Sequence, residues 1–409
     1  MNHDFDVVVI GGGLAGACTV ALLARKSGMP AERVALLSTE SIPPVARGDP
    51  ADLRVVAISR ASEHVLRAAV AWPRLDEARL CPYQRMRVWH ETSPPRGAGA
   101  LCFDAADIGE PNLGFIAENN ALMRACQESF VAAGGCRVES TLLRLDFEIA
   151  QARLTCSGGV ELTARLVVGA DGAQSLVRSC AGLTARMHDY RQLALVATLQ
   201  TEKPHENTAW QRFLHTGPLA LLPLFNGHSS MVWTVDEAAA QELLRLSDEQ
   251  LCERIVNASD EVLGRATLLS RRASFPLRSL AAQSYVAARC ALVGDAAHVI
   301  HPLAGQGANL GLLDAAALCE AVSDALIERE DIGSVRALRR YEQLRRTHNV
   351  LMDSAMSAFN TGFAASVGPG ALLVNTALGA VNRSGMLKRM FARRALGTTG
   401  DLPRYARSG

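Results

Sequence analysis

The chain opens with two short apolar runs that flank a helix-forming segment. Residues 5–10 (FDVVVI) form a β-branched run of the kind that buried parallel strands contain. Residues 17–26 favour a helix, and residues 33–38 form a second apolar run that predicts another strand. The order strand, helix, strand predicts a parallel βαβ unit and therefore an α/β domain at the start of the chain.

Two later segments repeat the change from an apolar strand to a glycine turn and then a helix. One spans residues 166–178 and the other residues 291–311. Between them, residues 183–285 include a region of alternating apolar positions, which predicts a β-sheet.

Length and composition limit the class of protein. At about 150 residues per domain, 409 residues predict two or three structural units. A hydrophobic share of 49% with 20% charged residues excludes a disordered chain. The net charge of +1 shows no basic excess over the whole chain, so we expect no nucleic-acid partner.

The cysteines and the N-terminus point to a reducing compartment. The ten cysteines include no CxxC pair, which argues against a zinc ribbon and a thioredoxin-like motif. Residues 1–6 lack the basic flank of a secretory signal, and no charge-free apolar run reaches the ~18 residues that a transmembrane helix needs. We expect reduced thiols in a cytoplasmic protein.

A glycine-rich turn joins the first strand to the first helix. The motif GxGxxG is met by Gly11, Gly13 and Gly16, with Leu14 and Ala15 between the last two glycines. The first glycine of such a motif makes the tight turn, the second lets a pyrophosphate approach the backbone, and the third lets helix and strand pack closely. The helix N-terminus offers amide donors to the phosphates. This setting predicts dinucleotide binding, and a purely structural glycine turn is the alternative.

The acidic residue that usually binds the ribose in such a motif is replaced. Ser38 stands at the end of the second predicted strand, and Glu40 follows two residues later. Either the serine hydroxyl binds the ribose or Glu40 reaches back to it.

A second glycine turn, in the segment 166–178, contains Asp171 and Gly172. The carboxylate of Asp171 has two roles open to it. It either orders the turn through its own backbone or stands beside a bound nucleotide.

The segment 291–311 carries the most informative pattern. A predicted strand ends at Gly294, and Asp295 follows at its carboxyl end, where α/β sheets bind ligands. A carboxylate there can accept hydrogen bonds from a polyol. Pro302 fixes an extended backbone before it. Gly305 and Gly307 leave a stretch of peptide without side chains that can lie against a flat ring.

The helix that begins near Asn309 directs its N-terminus at that ring. A helix dipole in this position stabilises an anionic reduced ring. A flavin has such a reduced form and a nicotinamide does not, so the pattern favours FAD over NAD.

Two histidines of this segment, His298 and His301, form an HxxH spacing. No third ligand or nearby cysteine accompanies them, and Pro302 interrupts the helical geometry that would place both on one face. We therefore expect no metal, and we regard His298, His301 and Pro302 as flavin-adjacent or loop-ordering residues.

These motifs together resemble those of the class A flavoprotein aromatic hydroxylases. More narrowly, they are similar to the ubiquinone-biosynthesis hydroxylases of the UbiH/UbiF/UbiI (VisC) type. The resemblance runs from residue 11 to about residue 403, and its most specific string is His-Pro-Leu-Ala-Gly-Gln-Gly at residues 301–307. The other segments that carry it are 11–16, 52–62, 115–119, 169–172, 294–298 and 395–397.

The resemblance implies an α/β fold like that of p-hydroxybenzoate hydroxylase. In that fold a Rossmann-like FAD-binding domain is interleaved with a β-sheet substrate domain, and C-terminal helices follow. The expected bounds are 1–75, 110–182 and 286–345 for the FAD-binding domain, 76–109 and 183–285 for the substrate domain, and 346–409 for a basic helical region.

The resemblance also implies FAD as the cofactor and NAD(P)H as a transient reductant. Arg54 would lie near the cofactor, with a surface salt bridge as the alternative, and Asp295 would bind the ribityl chain. Residues 302–309 would lie beside the isoalloxazine. The candidate cofactor-binding residues are Gly11, Gly13, Leu14, Ala15, Gly16, Ser38, Arg54, Asp171, Gly172, Gly294, Asp295, Pro302, Gly305, Gln306, Gly307, Ala308 and Asn309.

The predicted sheet supplies candidates for a substrate pocket over the flavin. Large aromatic side chains belong to a core more often than to a pocket wall, so we expect only two or three to face the substrate. The candidates are Trp210, Phe213, Leu222, Phe225 and Trp233.

The activity that the resemblance implies is hydroxylation of a polyprenylphenol ring in ubiquinone biosynthesis. NAD(P)H would reduce FAD, O2 would add to the reduced ring, and the resulting flavin hydroperoxide would give an oxygen atom to the phenol. GxGxxG occurs once, so we expect NAD(P)H to dock without a second Rossmann domain. No residue stands out as a catalytic base.

Two other functions stay open at this point. A flavoprotein of the same fold could hydroxylate another aromatic substrate or perform other redox chemistry, although the WxW motif of halogenases is absent. The chain could instead be a non-catalytic scaffold of a ubiquinone-biosynthesis assembly, against which the intact glycine and His-Pro motifs argue.

The near-zero net charge conceals an uneven distribution. Residues 336–409 contain 12 Lys and Arg against 3 Asp and Glu, a net charge of +9, so residues 1–335 carry −8. Such an end suits the anionic inner face of the plasma membrane, where a polyprenyl substrate would lie. Docking to other ubiquinone-biosynthesis proteins and a solvated helix face are the alternatives. Independently of this region, a homo-oligomer stays open.

Overall fold

The computed structural model describes residues 3–46, 48–97, 99–300, 307–364 and 401–407, and for 353–364 it describes the backbone alone. The helices within these ranges are α1 Leu14–Lys26, α2 Arg60–Ala68, α3 Asn119–Ala132, α4 Leu176–Cys180, α5 Glu237–Arg245, α6 Asp248–Ala258, α7 Gly307–Ile327 and α8 Val335–Ala364. The strands are β1 Phe5–Ile10, β2 Val34–Leu37, β3 Val55–Ile58, β4 Cys81–Tyr83, β5 Arg85–His90, β6 Leu101–Asp104, β7 Gly114–Glu118, β8 Cys136–Val138, β9 Leu142–Phe147, β10 Ala152–Cys156, β11 Glu161–Gly169, β12 Ala185–Thr201, β13 Thr208–Leu214, β14 Gly217–Pro223, β15 Ser229–Asp236, β16 Ala266–Leu268, β17 Ala273–Ala282, β18 Val286–Ala287, β19 Cys290–Leu292 and β20 His298–Val299.

The first sheet has a parallel centre in the order β19-β11-β1-β2-β8. Strand β18 pairs antiparallel with β19, and β10 joins β9 to β11. Val7, Val8 and Val9 of β1 are fully buried, because this strand has a neighbour on each side and helices pack against its sheet. The predicted βαβ unit is confirmed, and β1 occupies the predicted residues 5–10.

Two further sheets follow the first, and helices cover one face of the larger one. The second sheet is β3-β7-β4, and its pairings are antiparallel. The third has the order β20-β17-β12-β15-β14-β13-β5-β6, with β16 paired to β12. Helices α5 and α6 cover one face of the third sheet through Leu243, Leu251 and Ile255. The α/β fold with interleaved domains is thus confirmed.

One segment belongs to two sheets. After β19 leaves the first sheet, the chain turns at Gly294–Ala296 and forms β20, which pairs with β17 of the third sheet. In this pairing Val299 lies opposite Leu280, and His298 lies opposite Ala281. The two sheets are therefore fastened together at the carboxyl end of β19.

The expected domain bounds stay a prediction, and two elements cross them. Strand β4 falls in the segment expected for the substrate domain, yet it pairs with β7 of the segment 110–182. Helix α8 continues without a break across the expected boundary at 345/346.

Two basic residues of the C-terminal region form ion pairs within the described structure. Arg345 is fully buried and forms an ion pair with Asp314 at 2.8 Å, so its charge is used inside the core. Arg340 pairs with Glu328 at 2.6 Å. Residues 365–400, which hold five of the basic residues behind the membrane prediction, lie outside the described residues. In the described part of the chain, no helix is both long and apolar enough to cross a bilayer.

Candidate active site

A cavity of about 800 Å³ lies at the carboxyl ends of the parallel strands of the first sheet. The β1–α1 turn, the end of β2, the turn after β11 and the segment after β19 form its walls. The candidate cofactor-binding residues that line it are Gly11, Gly13, Leu14, Ala15, Ser38, Arg54, Asp171, Gly172, Gly294, Asp295, Gly307 and Ala308. The candidates Pro302, Gly305 and Gln306, and also His301, lie outside the described residues.

The three motif glycines occupy three different environments. A Cβ on Gly11 would lie 2.3 Å from the Ala170 carbonyl oxygen, and φ is +108°, so the turn accepts only glycine here. A Cβ on Gly16 would lie 2.0 Å from the Gly11 carbonyl oxygen, where helix α1 crosses the turn. A Cβ on Gly13 would meet nothing within 4 Å, and Gly13 lines the cavity. These are the tight turn, the close packing and the open approach that the motif predicts, and Gly16 lies behind the wall.

The N-terminus of α1 fits a phosphate group. Its N-cap is Gly13, and no side chain caps the first amide groups. The first turn of a helix leaves its amide donors without partners inside the helix, and here they face a cavity. The structure therefore offers a donor set of the right chemistry for the pyrophosphate of FAD.

The end of β2 holds both ribose candidates. Ser38 is buried, and its Oγ accepts a hydrogen bond from the Glu40 amide at 3.1 Å. Glu40 is exposed and lines the cavity, and no ion pair to its carboxylate occurs among the described residues. Both alternatives from the sequence thus reach the cavity, with the Glu40 carboxylate the more accessible of the two.

Asp171 orders the turn after β11. Its carboxylate accepts hydrogen bonds from Ser175 Oγ at 2.5 Å, the Leu176 amide at 2.7 Å and the Val177 amide at 3.1 Å. The first of its two expected roles is therefore what the structure shows, although Asp171 also lines the cavity. Arg178 then donates to the Ala296 carbonyl at 2.9 Å, which links this turn to the segment after β19.

Asp295 projects from a tightly built turn. Gly294 has φ +57°, and a Cβ there would lie 2.8 Å from the Ala15 side chain. Asp295 is exposed and lines the cavity, whereas Gly294 and Ala296 on either side are buried. The turn therefore presents one carboxylate to the cavity, as expected for a group that binds a polyol.

His298 does not line the cavity. Its side chain is buried, and its Nε2 contacts the carboxylate of Asp314 at 2.5 Å. Burial alone would raise the pKa of Asp314, but the contacts with His298 and Arg345 hold that pKa well below its ordinary value. Of the two roles expected for His298, the loop-ordering role matches this position.

The side chain of Asn309 joins two elements of the fold. Its Oδ1 accepts from the Ser59 amide at 2.9 Å, and its Nδ2 donates to the Ala57 carbonyl at 2.8 Å. It fastens α7 to the β3–α2 connection and does not line the cavity, whereas Gly307 and Ala308 at the start of α7 do.

Arg54, which precedes β3, is exposed at the cavity wall. No ion pair to its guanidinium occurs in the ranges described, so the salt-bridge alternative finds no support there. Its position matches the expected place near the cofactor.

The candidate substrate-pocket residues on the strands of the third sheet lie on two different faces of that sheet. Trp210 and Trp233 lie in the core beneath α5 and α6, which corrects their place in a substrate pocket. Because side chains alternate along a strand, Phe213 and Leu222 point to the opposite face. Ala209 and Leu222 of that face cluster with Val55 and Ala57 of β3, whereas Val56 of β3 lines the cavity. Neither Phe213 nor Leu222 lines the cavity itself.

Phe225 has a different environment. It follows β14, is half-buried, and lies 4.5 Å beneath the guanidinium of Arg79. Neither residue lines the cavity. Phe225 thus contacts the Arg79 side chain instead of open space.

Several cavity residues escaped the sequence motifs. Ser140 and Thr141 follow β8, which is parallel to β2, so the carboxyl end of a parallel strand is the signal that could have found them. Met123 and Asn119 come from α3, and no local motif indicates them. Val299 and Ile300 adjoin the predicted histidines but have no pattern of their own.

Comparison with known proteins agrees with this site. The family model described as "FAD binding domain" (FAD_binding_3) matches residues 122–352. The chain is 36% identical over 399 residues to 3-demethoxyubiquinol 3-hydroxylase of Escherichia coli (strain K12), which covers 97% of this chain and 99% of that protein. It is also 36% identical over 397 residues to ubiquinone hydroxylase UbiL of Rhodospirillum rubrum, covering 96% of this chain and 90% of the relative.

Among solved structures, p-nitrophenol 4-monooxygenase PnpA of Pseudomonas putida DLL-E4 has a TM-score of 0.76 at 19% identity, over 97% of this chain and 99% of that one. At this identity the likeness shows the fold. The family follows from the two relatives at 36% identity and from the FAD-binding domain. The chain belongs to the ubiquinone-biosynthesis hydroxylases, a family of FAD-dependent aromatic monooxygenases.

Proposed function

We propose that this protein hydroxylates the aromatic ring of a polyprenylphenol intermediate of ubiquinone biosynthesis, with NAD(P)H as reductant and O2 as oxygen source. One observation carries the proposal: the glycine turn, Asp295 and the start of α7 meet at a single cavity in a chain that matches a 3-demethoxyubiquinol 3-hydroxylase over 97% of its length. When bound and reduced, FAD supplies the reaction of O2 that yields an electrophilic oxygen atom.

Different residues of the cavity would bind different parts of FAD. The uncapped α1 N-terminus would bind the pyrophosphate, with Gly13 leaving room for it. The Glu40 carboxylate would bind the ribose, with the Ser38 hydroxyl beside it. Asp295 would accept hydrogen bonds from the ribityl hydroxyls. The N-terminus of α7 would stabilise negative charge on the reduced ring through its dipole.

The substrate would lie between this cavity and the third sheet. Phe213 and Leu222 point to the side of the sheet that packs on β3. An apolar wall there would orient the phenol ring and exclude water from the oxygen donor. Contact of the basic C-terminal residues with an anionic membrane, or with other ubiquinone-biosynthesis proteins, is part of the same proposal.

Complementation tests the ring position. Strains that each lack one ring-hydroxylation step of ubiquinone biosynthesis would receive this gene, and quinones would be measured by mass spectrometry. We expect restored ubiquinone in one strain. Restoration in none would contradict the proposed substrate class.

The purified protein tests the reaction itself. We expect a yellow protein whose NAD(P)H oxidation accelerates with a polyprenylphenol and yields a hydroxylated ring. Asp295→Ala, assayed in parallel, would lose this activity with the bound flavin. Accelerated oxidation that yields only hydrogen peroxide or a reduced product would favour other redox chemistry of the same fold.

A further inference from the structure

A buried carboxylate lies behind the cavity wall. Asp314 on α7 is fully buried and accepts four hydrogen bonds. Its Oδ2 accepts from the Gly294 amide at 3.1 Å and contacts His298 Nε2 at 2.5 Å. Its Oδ1 accepts from Arg345 Nε at 2.8 Å and from Asn349 Nδ2 at 3.3 Å. One oxygen therefore serves the segment after β19, and the other serves helix α8.

Helix α8 holds this segment along one face. Tyr341, Arg345 and Asn349 are spaced by four residues, so they share one side of the helix. Tyr341 Oη donates to the Leu292 carbonyl at 2.5 Å, at the end of β19. Arg345 donates to Asn349 Oδ1 at 2.8 Å, which fixes both side chains toward Asp314. The three residues form a continuous support from the strand to the turn.

The supported turn has little freedom. Gly294 is packed against Ala15 of the glycine motif, and Asp295, the next residue, is the exposed carboxylate of the cavity. A carboxylate that binds a ligand must be held within a fraction of an ångström by its surroundings. The backbone of Gly294 and the ring of His298 flank Asp295 in the chain, and Asp314 contacts both.

We propose that Asp314 is a positioning residue for FAD. It holds the Gly294 amide and the His298 ring so that Asp295 faces the cavity, and Arg345 and Asn349 hold Asp314 in turn. This inference rests on the proposed role of Asp295. It assigns to α8 a part in cofactor binding although, among the residues described, no α8 side chain lines the cavity.

The first test measures FAD affinity and apoprotein stability separately. Apoprotein of the full chain would be titrated with FAD, followed by quenching of flavin fluorescence, and its thermal midpoint would be recorded without FAD. For Asp314→Asn, we expect the Kd for FAD to rise about 10- to 100-fold, as for a lost charge-assisted hydrogen bond. Glu63→Gln is the matched control, because Glu63 is buried in ion pairs with Arg60 and Arg67 away from the cavity. Its Kd should equal that of the wild type.

A double variant separates positioning from general stability. Asp314→Leu with Arg345→Met replaces a buried ion pair by apolar groups, a change that often leaves stability intact. It also removes the acceptor for Gly294 and His298. We expect its thermal midpoint to return toward that of the wild type, while its Kd for FAD stays raised.

The outcomes are distinct. A folded variant without Asp314 that binds FAD with wild-type affinity would overturn the inference. If neither variant folds, His298→Ala decides, because it keeps the Asp314–Arg345 pair and removes one bond to the turn; an unchanged Kd would again overturn it. A wild-type apoprotein that does not bind FAD would instead contradict the proposed function.

Discussion

Gly13 allows stability and cofactor binding to be measured apart. Its backbone has φ −60° and ψ 173°, which alanine adopts without strain, and an added Cβ would meet nothing within 4 Å. Gly13→Ala should raise the free energy of unfolding by about 0.4–1 kcal/mol, because alanine restricts the unfolded chain. It should lower the same free energy by about 1 kcal/mol, because alanine is a poorer N-cap. These two effects nearly cancel, so the apoprotein should keep its thermal midpoint.

The same methyl group would stand in the open space before the α1 amides. If it displaces one charge-assisted hydrogen bond to the pyrophosphate, the loss is about 1.5–3 kcal/mol. The Kd for FAD would then rise about 10- to 150-fold. Fluorescence titration of the apoprotein with FAD measures this change.

Gly48→Ala is the matched control. A Cβ on Gly48 would also meet nothing within 4 Å, and Gly48 does not line the cavity. Its Kd for FAD should equal that of the wild type, and its thermal midpoint should be equal or slightly higher, because the unfolded-state gain has no N-cap loss to offset it. An unchanged Kd for Gly13→Ala would refute the idea that the pyrophosphate approaches this residue, and a large fall in its apoprotein midpoint would refute the cancellation.

Four further outcomes follow from the contacts described. Gly16→Ala should destabilise the apoprotein by about 3 kcal/mol in a denaturant titration, because its Cβ would lie 2.0 Å from a backbone oxygen. Asp295→Ala should weaken FAD binding about 100-fold, at least as much as Asp314→Asn, because the ribityl hydroxyls lose their carboxylate acceptor; apoprotein stability should not change, since the carboxylate is exposed. Phe213→Ala should raise KM for the phenol. Trp233→Ala should lower the unfolding free energy by about 3–5 kcal/mol and leave the KM of the folded enzyme unchanged. Equal effects of the two variants on KM would contradict the assignment of faces. The folded-state pKa of Asp314 lies below its ordinary value, so its ion pair contributes stability above about pH 4 that is lost as the pH falls further; stability curves of wild type and Asp314→Asn should converge in acid.

Local sequence patterns predicted the elements whose structure is set mainly by their own residues. The run FDVVVI became β1 with the predicted bounds, because its last four residues, 7–10, are buried in the sheet and are apolar throughout. The three motif glycines have the predicted environments, because each is set by backbone atoms within one βα turn and its neighbouring strand.

The same patterns did not predict residue environments that depend on elements distant in the sequence. Trp210 and Phe213 are both large apolar residues of β13, and only the position of α5 and α6 decides which face is core. No local pattern indicates that the side-chain amide of Asn309 bonds to Ala57 and Ser59, about 250 residues earlier. Arg345 counted as surface charge because composition cannot show that Asp314 lies opposite it.

The order of strands in the first sheet also determines how late in translation the sheet can be completed. Strand β1 pairs with β11 at Phe5 and Ala164, and β11 pairs with β19 at Val167 and Cys290. At about 5–20 residues per second, a ribosome needs roughly 15–60 s to reach the last of these strands. Until then the turn that bears Asp295 does not exist. The glycine motif at the start of the chain therefore meets the segment that bears Asp295 only after 295 of the 409 residues have been synthesised.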